Sequence, residues 1–189
     1  MPPKPPKIPA AVYQLKITLR GSRPPIWRRV WVPDHFSLFK LHRVIQLAMG
    51  WEDGHLHQFI VGGRHYSIPH PDDWEPGIDE RRITLEKLAP ALNSRFIYEY
   101  DFGDGWEHVI LVEKIIPPDA GEVYPKCIQG KNACPPEDVG GIWGYQGFLQ
   151  AIRDPNHEEH DSYLEWVGGE FDPKAFDLEA VNRALRKVK

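Results

Sequence analysis

Between Tyr98 and Ile110 the chain reads YEYDFGDGWEHVI, and three of its side chains could do chemistry together. Asp101, Asp104 and His108 are residue types that hold a divalent cation and activate water for hydrolysis. The same segment also reads as two strands around a turn. Asp104-Gly105 is a strong two-residue hairpin signal, because a type I′ turn needs positive φ at both central positions. With those two as the loop, Asp101 faces His108. A three-residue loop would place Tyr100 opposite His108 instead. Facing side chains lie about 5 Å apart at Cβ and interact. An Asp–His pair can raise the histidine pKa, orient a base or support a metal, and it can equally be a structural hydrogen bond. No nucleophile accompanies the pair within the motif, so we read Asp101–His108 as structural, bordering a binding groove. Asp101→Asn should then cost stability mainly at acidic pH. Despite its DFG triplet, the segment is not a protein kinase signature: there is no glycine-rich phosphate loop, no HRD-type segment and no APE.

Other candidates surround this motif. Glu137 and Asp138 follow two prolines and precede Gly140-Gly141; they could cap the following helix or join the hairpin acids in a cleft. Cys127 and Cys134, seven apart, with His157 and His160 could supply a tetrahedral zinc site, although the cysteine spacing exceeds the usual knuckle and buried free thiols fit better. His55 and His57 alternate and, with His65 or His70, could bind a metal; a solvated strand face is the plainer reading. Trp27, Trp31, Trp51, Trp106, Trp143 and Tyr145 are either core or an aromatic groove for a peptide or single strand. The binding candidates are therefore Tyr100, Asp101, Trp106, His108, Glu137, Asp138, Trp143 and Tyr145. The cofactor left open is a divalent metal, and the partner is a protein or a nucleic acid.

The elements that must position these residues are legible from periodicity. Val12–Arg20 alternates, with Tyr13, Leu15, Ile17 and Leu19 on the core face, and pairs with IWRRVWV as a hairpin. Leu38, Leu41, Val44, Ile45 and Ala48 fall at helical spacing, with Asp34 or Ser37 as N-cap and Gly50 as C-cap. Two strands flank Gly62-Gly63, a loop spans His70–Glu80, and ITLEKLAP is a short helix. The stretch Pro117–Trp143 lacks clear periodicity. Helices are expected in GYQGFLQAIRD, HEEHDSYLEWVGG and LEAVNRALRKVK. The sum is an α+β fold: a largely antiparallel sheet, a helix after the first hairpin and a helical C-terminal third. Residues 1–10 read as a flexible Pro-rich tail and 11–189 as a single domain.

With 189 residues, 41% of them hydrophobic, the chain can bury a substantial core. The net charge of −4 does not draw the whole molecule to phosphate backbones, although RGSRPPIWRR carries four arginines that could form a local patch. No apolar run reaches membrane-spanning length, no secretory h-region is present, and two cysteines make no disulfide framework. These features predict a cytoplasmic protein.

Three separated segments, YEYDFGDGWEH, ACPPEDVGGIWGYQGFL and WVGGEFDPKAFDLEAVNRAL, together with YQLKITLRGSRPPIWRRV, resemble the plasmid pRiA4b open-reading-frame-three-like family over Tyr13 to Leu185. The resemblance implies a bacterial or archaeal protein, linked in some relatives to mobile elements and transposon passenger or TnpR-like labels. It implies no activity, and no serine-recombinase pattern accompanies it. The expected function is a non-catalytic binding module with a groove between the 101–108 hairpin and the 133–145 loop. The alternative is a metal-dependent hydrolase using Asp101, Asp104 and His108.

Overall fold

A computed structural model describes residues 9–70 and 77–188. Most of the expected tail and part of the expected His70–Glu80 loop lie outside the described residues. The first two strands, β1 (Val12–Leu19) and β2 (Trp27–Pro33), pair antiparallel as expected. Next comes α1 (Leu38–Met49), which buries the predicted apolar stripe. Ser37 is its N-cap, accepting from the Lys40 N–H, and Gly50 ends it at φ 101°. Asp34 instead accepts the Ala10 and Ala11 N–H groups, tying down the start of β1.

The remaining strands are β3 (His57–Val61), β4 (Arg64–Ser67), the two-residue β5 (Ile78–Asp79), β6 (Arg95–Tyr100), β7 (Trp106–Ile116) and β8 (Lys126–Lys131). A 3-10 turn at Glu80–Arg82 and the short α2 (Leu85–Leu88) lie between β5 and β6. Together the strands form one sheet in the order β5-β4-β3-β6-β7-β1-β2-β8, antiparallel except for the β4–β5 pair. β1 and β7 occupy its middle, which is why their apolar faces are almost wholly buried.

The C-terminal region departs from expectation. Strand β8 emerges from the stretch that showed no periodicity, because Cys127 and Gln129 pair around a bulge opposite Val30 and Arg29. Three helices follow, α3 (Gly141–Arg153), α4 (His160–Trp166) and α5 (Leu178–Leu185), separated by irregular chain. The fold is mixed α+β, but its last third is not uniformly helical. Asn182 of α5 lies along β8: its Oδ1 accepts the Cys127 N–H at 2.8 Å, and its Nδ2 donates to the Cys127 carbonyl at 2.9 Å.

The β6–β7 hairpin corrects the expected register. Its loop is five residues, Asp101–Gly105, so Tyr100 pairs with Trp106, Glu99 with Glu107 and Tyr98 with His108. Asp101 causes the shift. It takes φ 56°, its carbonyl accepts the Gly105 N–H at 2.6 Å, and its Oδ1 accepts the N–H groups of Gly103 and Asp104. An acid that caps its own turn competes successfully with the Asp-Gly signal. Gly105 still closes the loop at φ 64°. Gly105→Val should lower stability by on the order of 1–2 kcal/mol, read as a lower denaturation midpoint.

Candidate functional site

The absence of the Asp101–His108 pair follows from the register. His108 points into the core at 0% exposure, stacks edge-on against Trp51 and has no hydrogen-bond partner for Nε2 among the described residues. Burial pushes its pKa down from 6.5 to about 4, opposite to the direction an acidic partner would impose. Because the unfolded chain binds a proton on His108 more readily than the fold does, stability should be full above pH 6.5. It should fall as pH drops toward 4, by about 3 kcal/mol in all. His108→Phe should flatten that acid limb in paired unfolding curves at pH 7 and 4.5.

Trp106, Tyr100 and Tyr145 are core residues too, so they support the site rather than line it. Trp51 and Tyr100 pack at 5.0 Å, and the Trp51 indole N–H donates to the Pro135 carbonyl at 3.1 Å. Through these buried rings the sheet holds the Pro135–Asp138 loop. Glu137 completes the attachment. Its Oε1 accepts the Tyr100 hydroxyl at 2.9 Å and the Glu52 N–H at 2.8 Å, while the Tyr100 oxygen accepts the Gly54 N–H at 3.0 Å. Burial, and then the bond to Glu137, push the Tyr100 pKa upward, so the phenol keeps its proton and donates it.

Neither Glu137 nor Asp138 caps α3. Its N-cap is Gly140, without a side-chain bond. The Gly140 N–H donates instead to Asp104 Oδ2 at 3.1 Å, which fastens the hairpin turn to the helix start. Asp138 faces His55 Nε2 at 3.2 Å, and Asp101 Oδ2 faces the same nitrogen at 3.7 Å. The hairpin turn, the segment between α1 and β3, and the loop before α3 therefore meet. Asp101, Glu137 and Asp138 converge there, Asp104 anchors the edge, and Trp143, in the first turn of α3, is 83% exposed.

The sequence reading missed a second cluster behind this one. His57 does not lie on a solvated face; it is buried and stacks on His42 with ring centroids 3.5 Å apart and planes 4° apart. Its Nε2 lies 3.0 Å from both carboxylate oxygens of Glu80, which is 0% exposed. Gln46 Nε2 donates to the Tyr98 hydroxyl oxygen at 2.9 Å, leaving that hydroxyl to donate to His42 Nδ1 at 2.8 Å. His42 Nε2 then donates to Asp53 at 2.8 Å. This proton arrangement keeps His42 neutral, in keeping with a pKa that burial lowers to about 3. One signal was available: His42 and Gln46 sit four apart on the apolar stripe of α1.

The remaining metal candidates do not assemble. Cys127 and Cys134 are free thiols whose pKa values burial raises, His160 Nδ1 bonds the Ala151 carbonyl, and His157 Nδ1 accepts the Glu159 N–H. Among the described residues they form no group of three ligands. The four-arginine stretch is not a free basic patch either. Arg28 is buried against backbone carbonyls, Arg20 pairs with Glu107, and Arg29 pairs with Glu113.

The hairpin, the Gly140-Gly141 loop and the helices after it are the segments that carried the family resemblance, and the family profile for plasmid pRiA4b ORF-3-like proteins matches residues 11–180. The chain belongs to the plasmid pRiA4b ORF-3-like family. A relative of this ORF-3-like chain, the uncharacterized protein y4hQ of Sinorhizobium fredii (strain NBRC 101917 / NGR234), is 42% identical over 179 residues. The match spans 93% of this chain and 91% of the relative. The crystal structure of MM3350 from Methanosarcina mazei Go1, a protein of unknown function, superposes with a TM-score of 0.83 at 38% identity. It covers 90% of this chain and 96% of that one. The fold of this ORF-3-like chain is thus shared with an archaeal protein. Among the described residues, no helix is long and apolar enough to cross a membrane.

Proposed function

We propose that the chain is a non-catalytic binding module whose recognition face is the junction of the 101–105 turn, the 51–56 segment and the 134–143 stretch. The observation that carries this reading is the exposure of large apolar side chains around a group of carboxylates. Leu56 is 73% exposed, Phe102 50% and Trp143 83%, and each belongs to one of the three segments that meet here: Leu56 follows His55, Phe102 follows Asp101, and Trp143 lies in the first turn of the helix after Asp138. Exposed apolar groups in the segments that carry these acids fit a partner surface better than solvent. The occupant that fits is a protein segment presenting a Lys or Arg among apolar residues, since carboxylates attract the cation and the rim covers the flanking side chains. A phosphate backbone would meet these acids unfavourably, and three arginines of the one basic stretch are already engaged.

The hydrolase reading built on Asp101, Asp104 and His108 loses its support, because His108 is buried opposite Tyr98 and Asp104 is committed to Gly140. Selection from a random peptide display library tests the binding reading. Enriched peptides should pair a basic residue with aromatic or branched aliphatic ones, and Trp143→Ser and Phe102→Ser should each abolish their binding. Enrichment without a basic residue, binding indifferent to both substitutions, or preferential capture of an oligonucleotide would overturn it.

A further inference from the structure

We infer that His55, Asp101 and Asp138 form a site for a divalent transition-metal ion such as Mn2+ or Zn2+. One ligand atom from each lies within 4.8 Å of the other two. Two ligands about 2.1 Å from one ion stand at most about 4.2 Å apart. The His55 Nε2 distances of 3.2 Å to Asp138 and 3.7 Å to Asp101 are already inside that span. Asp138 is 72% exposed at its side chain, so it can adjust the third separation by rotation.

Asp101 supplies the independent argument. It is 8% exposed, and its Oδ1 is held by the Gly103 and Asp104 N–H groups. That anchoring aims Oδ2 at His55, from 3.7 Å, too far for a hydrogen bond. Among the described residues no hydrogen bond reaches Oδ2. Oδ2 is thus the free oxygen of a carboxylate fixed in place through Oδ1, a pre-positioned ligand for a cation lying between Oδ2 and Nε2. One imidazole nitrogen with two carboxylates suits Mn2+ or Zn2+ better than Ca2+ or Mg2+, which take oxygen ligands throughout. The exposed side of Asp138 leaves remaining coordination positions to water.

The neighbouring His42–Asp53–His57 group is equally close-set but does not fit an ion. Parallel rings stacked at 3.5 Å cannot both aim an in-plane lone pair at one point, and His42 already donates one ring N–H and accepts at the other nitrogen. At His55 no such closed network competes. Each ligand comes from a different segment: the stretch before β3, the end of β6, and the loop before α3. An ion there would cross-link the three segments that make the recognition face.

The test uses untagged full-length protein stripped with a chelator and titrated calorimetrically with MnCl2 and with ZnCl2. One equivalent of at least one ion should bind and raise the melting temperature, as a ligand specific to the folded state must. His55→Gln and Asp138→Asn, both at accessible positions, should keep the native circular dichroism spectrum and weaken binding about tenfold or more. Cys134→Ser and His157→Gln should bind as wild type. No binding of either ion, or binding unchanged in His55→Gln and Asp138→Asn, overturns the assignment. Trp143→Ser should leave metal affinity intact, so the metal site and the peptide-binding reading fail separately.

Discussion

Gly141→Ala should destabilise the protein by about 2–5 kcal/mol, the sum of left-handed backbone strain and a steric clash. Gly141 sits at φ 67°, and a Cβ there would lie 2.4 Å from the Asp104 carbonyl oxygen. Both atoms belong to backbone, so neither can rotate away. The hairpin turn would have to withdraw from the start of α3, stretching the Gly140 N–H bond to Asp104 Oδ2. Two alanine controls separate the contributions. Gly140→Ala carries the strain of φ 90° but meets only Gly144 Cα at 3.6 Å, so its cost should be the strain alone, about 1–2 kcal/mol. Gly147→Ala, in α3 with nothing within 4 Å, should stabilise by roughly 0.5–1 kcal/mol. Chemical denaturation of the three variants checks the order. Equal midpoints for Gly140→Ala and Gly141→Ala would mean that the turn and the helix do not approach so closely in solution.

Glu80→Ala should cost about 3–5 kcal/mol, the range for removing one member of a buried charged or hydrogen-bonded pair. Glu80 has no exposed surface, and both its carboxylate oxygens lie 3.0 Å from His57 Nε2. Truncation leaves that nitrogen facing a cavity, with the His42 ring stacked on its other side. Glu80→Gln should cost distinctly less, because the amide oxygen still accepts from Nε2. Urea unfolding distinguishes them. Equal losses for Ala and Gln would show that volume, rather than the bond to His57, is what Glu80 contributes.

The fold was legible where periodicity meets burial on one face. β1 and α1 announce themselves because Leu15, Ile17 and Leu19, or Leu38, Leu41 and Ile45, recur at the spacing of their element. β8 did not, because a bulge breaks its alternation and Gly130 leaves the side chain out altogether where Phe176 packs. The site was legible as a set of segments but not as contacts. Acids near Asp101 and Gly140 stand out in the chain, yet the residue that joins them, His55, is distant in sequence. The hairpin register turned on which acid captures the turn amides. Asp101 and Asp104 carry the same side chain, and only the folded backbone shows that Asp101 does so.

The side chain of Asn182 imitates a strand. By giving Cys127 one acceptor and one donor, it offers β8 what a neighbouring backbone residue would offer, for the length of a single residue. An open strand edge is a template: its unpaired amides recruit whatever extended chain is at hand, including another copy of the same protein. Here one residue of that edge, Cys127, is occupied by a helix, which has no free ladder of its own to pass on. At Cys127 the edge is thereby closed to an added strand, and that protection depends on whether α5 stays docked.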